Sequence, residues 1–195
     1  MTTTDKTKKQ LIYEAASRLF RDKGYPATSM RDLARAVDLK ASSLYNHIGS
    51  KEEILQDICF SNARRFLEGM EAVERSGDPP VEKIKALLAL HVRIAGRDIT
   101  SVTAFNDEWR HLSEPHLSEF KRLRRDYETR FKKILLKGME AGTLRSMDPT
   151  VMLYTLLSSV RWLYDWYRRG GELSMEDLQD QITAMLMEGL IRRGG

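Results

Sequence analysis

The chain has 195 residues, of which 42% are hydrophobic and only five are proline, so it is long enough to bury a substantial core. The sequence contains no run of about 18 apolar residues to span a membrane and no apolar N-terminal run for export, so we expect a cytoplasmic protein with no membrane partner. The net charge is +4, and residues 1–51 hold ten Lys and Arg against five acidic residues, which leaves −1 for the rest. A basic excess confined to one segment is typical of a surface that faces phosphates.

The first predicted elements lead to one short segment. A helix is expected at about 7–23, because apolar residues recur every three to four positions and a glycine follows as a stop. Ser29 then caps a second helix, and Asp32 three residues later forms a short variant of the capping box. After a break at 38–40, a third helix is expected at 41–48. The pattern is that of two short helices joined by a tight turn, behind a supporting helix.

The third helix has two unlike faces. Leu44 and Ile48 lie four positions apart and form its apolar side. The other side, at 41–43 and 45–47, carries short side chains and hydroxyl, amide and imidazole groups where a globular helix normally carries charges. Such groups bond to base edges and phosphates, and short side chains let the backbone approach a DNA groove. The pattern therefore predicts a helix-turn-helix DNA-binding unit.

Residues 28–51, T-S-M-R-D-L-A-R-A-V-D-L-K-A-S-S-L-Y-N-H-I-G-S-K, resemble the DNA-binding domain of TetR-family transcriptional regulators. The approximate family pattern is T-T-x-x-x-I-A-x-x-A-G-V-S-x-x-x-L-Y-x-Y-F-x-S-K-E-x-L. The matching residues are Thr28, Ser29, Leu33, Ala34, Leu39, Leu44, Tyr45, Ser50, Lys51, Glu52 and Leu55. Asp38 replaces the turn glycine, Lys40 a serine and Ile48 a phenylalanine. Asp tolerates left-handed backbone geometry, so we expect the turn to survive, whereas Lys40 leaves open which residue caps the third helix.

The resemblance and the side-chain chemistry together predict the DNA contacts. Tyr45 matches a family tyrosine that touches the DNA backbone, and Lys51 lies at a helix start beside phosphate. His47 is expected to contact DNA, with a merely solvated histidine as the alternative. The full set of expected DNA-binding residues is Thr28, Ser29, Arg31, Lys40, Ala41, Ser42, Ser43, Tyr45, Asn46, His47 and Lys51.

The remainder of the chain is predicted to be helical. The pattern indicates helix 4 at 50–75, a linker at 76–80, helix 5 at 81–96, helix 6 at 100–112, helix 7 at 115–142, helix 8 at 149–169 and helix 9 from Ser174. These elements make an all-α fold of nine helices. The resemblance implies a TetR-like architecture, with a three-helix DNA-binding domain at 1–49 and a helical effector-binding and dimerisation domain at 50–195.

Helix 8 carries apolar and aromatic residues around most of its circumference. A helix of that kind is buried on more than one side, which is hard to arrange in a monomer of this size. Pairing of helices 8 and 9 with their copies in a second subunit would bury both sides, and the resemblance implies the same homodimer. A two-fold dimer presents two recognition helices to successive major grooves of a palindromic operator.

Six aromatic residues are candidates for an effector pocket, although such a stripe at helical spacing also fits a plain core. They are Phe105, Trp109, Tyr127, Phe131, Trp162 and Trp166. The segments F-N-D-E-W-R-H-L from Phe105 and W-L-Y-D-W-Y-R-R-G-G-E-L-S from Trp162 resemble TetR-family members that respond to acyl-coenzyme A thioesters. Basic residues of helix 7 would then pair with the coenzyme phosphates, or else they form a solvated face. These residues are Lys121, Arg122, Arg124, Arg125 and Arg130.

The resemblance implies a transcriptional repressor that a small hydrophobic effector, such as an acyl-coenzyme A, releases from its operator. The alternative is a DNA-binding regulator without a small effector, either constitutive or controlled by a protein partner. An enzyme ranks third, because the sequence has no glycine-rich phosphate loop, G-x-S-x-G elbow or recognisable carboxylate pair. We expect no cofactor and no metal site, since the histidine spacing matches no metal motif. Cys59 is expected to be a small buried hydrophobe, with a redox-sensing thiol as the alternative.

Overall fold

The computed structural model describes residues 7–167 and 173–191. Within those residues the all-α prediction is confirmed: all nine predicted helices are present, and the only β-type pairing is an isolated bridge between Leu144 and Ile191. The eighth predicted helix is divided into two, and a short 3-10 turn follows the sixth. The elements are α1 (Lys8–Lys23), α2 (Met30–Ala36), α3 (Ala41–Tyr45), α4 (Lys51–Arg75), α5 (Pro80–Arg97), α6 (Ile99–Glu108), the 3-10 turn η1 (Trp109–His111), α7 (His116–Glu140), α8 (Pro149–Arg161), α9 (Leu163–Trp166) and α10 (Met175–Leu190).

The turn between α2 and α3 has the geometry that the family pattern requires. Ser29 and Asp32 form the predicted capping box, in which each side chain accepts the backbone N–H of the other residue. Asp38 adopts a left-handed φ of 53° at the position where the family pattern has glycine. Lys40 is the N-cap residue of α3 and makes no side-chain hydrogen bond to the helix. The third helix therefore begins without a side-chain cap.

The chain divides into two compact units, and one of them holds the helix-turn-helix. This unit comprises Met1–Ala63 and Thr100–Lys121, so it includes the first half of α4, α6, η1 and the start of α7. Phe20 of α1, Leu33 of α2 and Leu44 of α3 are all fully buried in its core. The buried side of α3 is therefore fixed against the two helices that precede it in the chain.

The second unit comprises Arg64–Ile99 and Arg122–Gly195. Helix α5 packs against α8, α9 and α10 in this unit. Gly96 of α5 faces Met175 at the start of α10, where a Cβ would stand 2.6 Å from the methionine Cε and would displace that side chain. Among the described residues, we find no helix with the length and hydrophobicity that a membrane span requires.

The eighth predicted helix differs from expectation in its length. It ends as α8 at Arg161 and resumes after Trp162 as the four-residue α9. Apolar residues such as Val160, Trp162 and Leu163 stand on both sides of this break, so periodicity gave no sign of it. The predicted end at 169 lies outside the described residues.

The end of the third helix also differs from the sequence prediction, and the packing units have a boundary of their own. Helix α3 ends at Tyr45, and the residues after it continue as a turn in which the Ile48 N–H still bonds the Leu44 carbonyl oxygen at 3.1 Å. The two units divide within α4, after residue 63, and the predicted boundary of the DNA-binding domain at 49 stays a prediction. The first half of α4 therefore belongs to the same packing unit as the helix-turn-helix.

Candidate nucleic-acid interface

The outward face of α3 and the turn after it presents polar side chains to solvent. Ser42, Asn46 and His47 are exposed, and 55% of the Tyr45 surface is accessible. Within the described part of the chain, none of these four side chains makes a hydrogen bond. Their donors and acceptors are therefore available to an external partner. Ala41 and Ser43 are half-buried beside them, and Arg31 and Lys40 add exposed positive charge on the same helix-turn-helix.

The structure corrects the role expected of Thr28. Only 2% of its surface is exposed, and its hydroxyl donates to the carbonyl oxygen of Gly24 at 2.9 Å. A side chain so buried supports the loop before α2 and offers almost nothing to DNA. Ser29, in contrast, is exposed, but its hydroxyl is engaged with Asp32 in the capping box. These hydrogen bonds hold the pKa of the Asp32 carboxyl below its usual range.

Lys51 has intrachain partners that the sequence did not indicate. Its ammonium donates to the carbonyl oxygens of Tyr25 and Thr28, each at 2.7 Å, and lies 4.1 Å from the centroid of the Tyr25 ring. Burial lowers the pKa of this lysine, and the nearby Glu108 carboxylate partly opposes the shift. The side chain therefore ties the start of α4 to the loop that leads into α2. Its predicted phosphate contact stays a prediction.

A second set of contacts joins the end of α6 to the same loop. The His111 ring of η1 stacks on Tyr25, with centroids 5.5 Å apart and planes at 20°. His111 Nε2 also lies 3.4 Å from the Glu108 carboxylate. The Glu52 carboxylate of α4 accepts the backbone N–H of Ser113 at 3.1 Å. The 108–113 segment is thus fixed to α4 and to the loop before the helix-turn-helix, which would let a shift of α6 reach the DNA-binding helices.

The six aromatic candidates for an effector pocket fall into three groups. Phe105 and Trp109 pack around Phe120 in the first unit, with ring centroids 5.4 and 5.8 Å away. Tyr127 and Phe131 are buried in the second unit. The rings of Trp162 and Trp166 pack against each other with centroids 5.3 Å apart, and these residues are 42% and 54% exposed.

Buried polar groups are present that sequence reasoning missed. His91 Nε2 of α5 lies 2.8 Å from the Tyr127 hydroxyl, and its ring packs on Phe66 at 4.6 Å. Desolvation lowers the pKa of His91 to about 4, so the ring is neutral near pH 7. Cys59 is buried as expected, and burial raises the pKa of its thiol to about 12. The available sequence signal for the contact between His91 and Tyr127 was the position of a histidine on the apolar side of the amphipathic helix α5.

The basic residues of α7 differ in their engagement. Arg130 pairs with Glu74 and with Asp126, and Arg124 lies 3.8 Å from Glu128. The remaining members of the set, Lys121, Arg122 and Arg125, are exposed. Surface ion pairs such as Arg124–Glu128 contribute little to stability. All of these cations except Arg130 therefore fit the interpretation of a solvated helix face.

The outer face of α8 exposes apolar side chains. Val151 is 56% accessible, and Tyr154 beside it donates a hydrogen bond to Glu128. Thr150, Thr155 and Ser158 lie beside them on the same shallow, open surface. Two exposed apolar side chains one helical turn apart, flanked by small polar residues, are compatible with an interaction surface.

Family models match both parts of the chain. The model described as "Bacterial regulatory proteins, tetR family" matches residues 12–58, which include α2 and α3. The model described as "Tetracyclin repressor-like, C-terminal domain" matches residues 77–190, more than half of the chain. This chain belongs to the TetR family. It is a helix-turn-helix transcriptional repressor, a class of regulators and not of enzymes.

Individual members of the family also match this chain over nearly their whole length. The HTH-type transcriptional repressor KstR2 of Mycobacterium tuberculosis (strain ATCC 25618 / H37Rv) is 26% identical over 189 residues, covering 94% of this chain and 92% of that protein. The structure of KstR2 has a TM-score of 0.89 at 23% identity over 96% of both chains, which shows a shared fold.

Two other solved structures are also similar. PfmR from Thermus thermophilus has a TM-score of 0.78 at 30% identity, covering 93% of this chain and 99% of PfmR. AibR in complex with isovaleryl coenzyme A and operator DNA has a TM-score of 0.79 at 27% identity, covering 93% of this chain and 98% of AibR.

Proposed function

We propose that this repressor binds a palindromic operator as a homodimer and that an acyl-coenzyme A thioester releases it. The observation that carries the proposal is the similarity to AibR, which has been solved with isovaleryl coenzyme A and operator DNA. Because its target is DNA, we place the protein in the cytoplasm. Residues 1–49 bind DNA in this proposal, and residues 50–195 bind the effector and the second subunit.

The exposed face of α3 reads the operator. Ser42, Ser43 and Asn46 offer hydrogen bonds to base edges, and Ala41 lets the helix approach the groove. The remaining exposed residues contact phosphates or lie beside them; they are Ser29, Arg31, Lys40, Tyr45 and His47. The buried Thr28 and the engaged Lys51 hold the loop before α2 in place, which positions this face on DNA.

The dimer forms through the outer faces of α8 and α10. The exposed Val151 and Tyr154 of α8 support this assignment, together with the exposed Met185 of α10. A second copy would cover both helices about a two-fold axis. The two copies of α3 would then enter successive major grooves, about 34 to 36 Å apart.

The acyl chain of the effector lies against Phe105 and Trp109, which pack around Phe120 within the first unit, and exposed cations of α7 pair with the coenzyme phosphates. The other candidates, Tyr127, Phe131, Trp162 and Trp166, belong to the second unit, and their contact with the effector stays a prediction. An effector shifts the equilibrium toward the DNA-free conformation. The free energy of that shift cannot exceed the difference between the effector's binding free energies for the two conformations. The contacts of 108–113 with the loop before α2 supply a path by which that preference reaches α3.

The experiment begins with selection of the operator from a random duplex pool. Acyl-coenzyme A thioesters of increasing chain length, and the matching free acids, are then titrated into the complex while DNA release is followed by fluorescence anisotropy. We expect one chain-length class of thioester to release the operator. Release by an unrelated hydrophobic compound alone would refute the coenzyme proposal, and the absence of release by any compound would favour a regulator without a small effector.

The dimer is tested by sedimentation equilibrium of Val151→Glu. An unpaired charge in the interface should convert the wild-type dimer to monomer. Leu136→Glu is the matched control, because Leu136 is an exposed apolar residue of α7 in the same unit. Monomeric wild-type protein at micromolar concentration would contradict the proposed interface.

A further inference from the structure

A fully buried amide joins α4 to α6 inside the unit that holds the helix-turn-helix. The Asn62 Nδ2 donates to the carbonyl oxygen of Ile58 at 2.9 Å and to the Ser101 hydroxyl at 2.7 Å. The first of these bonds fixes the orientation of the amide, because a flipped side chain would place its oxygen against the Ile58 oxygen. Both donors of the amide are therefore used.

The other end of the same amide has no partner. Asn62 Oδ1 is buried and accepts no hydrogen bond within the described residues. Buried acceptors in native proteins are nearly always paired, and an unpaired one is costly enough to call for an explanation. Oδ1 can only accept, so it selects for a group that carries an N–H or O–H.

Aromatic residues of the same unit lie close to this junction in the sequence. Ser101 lies one helical turn before Phe105 on α6, which places the two on one face. Phe105 and Phe60 both pack edge-on against Phe120, with centroids 5.4 and 6.1 Å away. A ligand suited to this region would have an apolar body and one hydrogen-bond donor.

We propose that Asn62 Oδ1 accepts a hydrogen bond from the effector, and that this acceptor makes the site select acyl thioesters over free acids. The inference rests on the proposed acyl-coenzyme A effector. The pantetheine arm of coenzyme A carries amide N–H groups near the thioester, whereas a free carboxylate at pH 7 carries only acceptors and would repel Oδ1. Because Asn62 also bonds to Ser101, the effector would act directly on the α4–α6 contact of the DNA-binding unit.

The test compares two short thioesters of isovaleric acid that differ in one atom. The first carries a 2-acetamidoethyl group on sulfur and has one amide N–H, and in the second, the 2-acetoxyethyl thioester, an ester oxygen replaces that N–H. Binding to the wild-type full chain is measured by calorimetry. We expect the amide thioester to bind roughly tenfold more tightly or better, since the ester leaves the acceptor unpaired.

Asn62→Leu should remove this preference, so that the two thioesters bind equally. Asn106→Leu is the matched control and should keep it, because Asn106 lies on α6 of the same unit and its amide donates to the Val102 carbonyl oxygen. Asn62→Ala replaces Asn62→Leu if the leucine variant fails to fold by circular dichroism.

Equal binding of both thioesters to wild type would overturn the role of Asn62 and leave the acyl-coenzyme A effector standing. A preference that persists in the Asn62 variant would do the same. Failure of the wild-type protein to bind either short thioester would also overturn the role of Asn62. Operator release by the full coenzyme A thioesters then decides separately whether the proposed effector class survives.

Discussion

Acidification should destabilise this protein through His91. The ring is buried in the second unit between Phe66 and the Tyr127 hydroxyl, and its pKa is lowered from the ordinary 6.5 to about 4 by desolvation. The folded state therefore takes up the His91 proton only near pH 4, whereas the unfolded chain takes it up near pH 6.5. Stability is fully present above pH 6.5 and is lost as the pH falls toward 4.

The size of the effect follows from the two pKa values. Between pH 7 and pH 5 the unfolded state binds a proton that the folded state does not bind. This difference lowers the free energy of unfolding by roughly 2 kcal/mol. Urea unfolding at pH 7, 6 and 5 measures the loss. Other groups titrate in the same range, so the quantity to compare is the loss in wild type minus the loss in His91→Phe.

His91→Phe keeps a ring against Phe66 and removes the titrating group. We expect this variant to lose less stability than wild type between pH 7 and pH 5, by roughly 2 kcal/mol. His47→Phe is the control, because that histidine is exposed on the turn after α3. An equal loss in wild type and His91→Phe would refute the conclusion that burial keeps His91 neutral.

Three further substitutions test the local structure. Lys51→Met removes two hydrogen bonds from a charged donor to the loop before α2, so we expect the free energy of unfolding to fall by roughly 2 kcal/mol. The predicted phosphate contact of Lys51 requires that this variant also flatten the salt slope of DNA binding by about 0.9, and an unchanged slope would confine the role of Lys51 to the loop. Ser29→Ala removes the capping box of α2 and should cost roughly 0.5 to 2 kcal/mol in urea unfolding, and an unchanged midpoint and slope would contradict that role. Gly142→Ala should cost about 1 kcal/mol, because Gly142 has a φ of 67° after α7 and open space around it; thermal unfolding unaffected by this change would refute the strain argument.

The fold was largely predictable because local signals agreed with one another. The capping box at Ser29, the left-handed turn at Asp38 and the buried Leu44 were each indicated by residue type and spacing. The break at Trp162 was not, because apolar residues continue through it and a helix end without glycine or proline leaves no local mark. Periodicity reports which side of a helix is apolar, and it reports less about where the helix stops.

The site was predictable only where its residues are neighbours in sequence. The exposed face of α3 comes from one short segment, so its chemistry could be inferred directly. The contact of Tyr25 with His111, in contrast, joins residues far apart in the chain, and no local pattern indicates it. The unpaired oxygen of Asn62 is likewise visible only once α4 and α6 are packed together.

We propose that the exposed face of α3 reads a specific DNA sequence. The most direct measurement is the affinity of wild type and Asn46→Ala for the selected operator and for a scrambled duplex at the same salt concentration. We predict that Asn46→Ala weakens operator binding by roughly 1 to 3 kcal/mol while binding to scrambled DNA stays the same. Equal weakening on both duplexes, or a wild-type protein with no sequence preference, would contradict the claim.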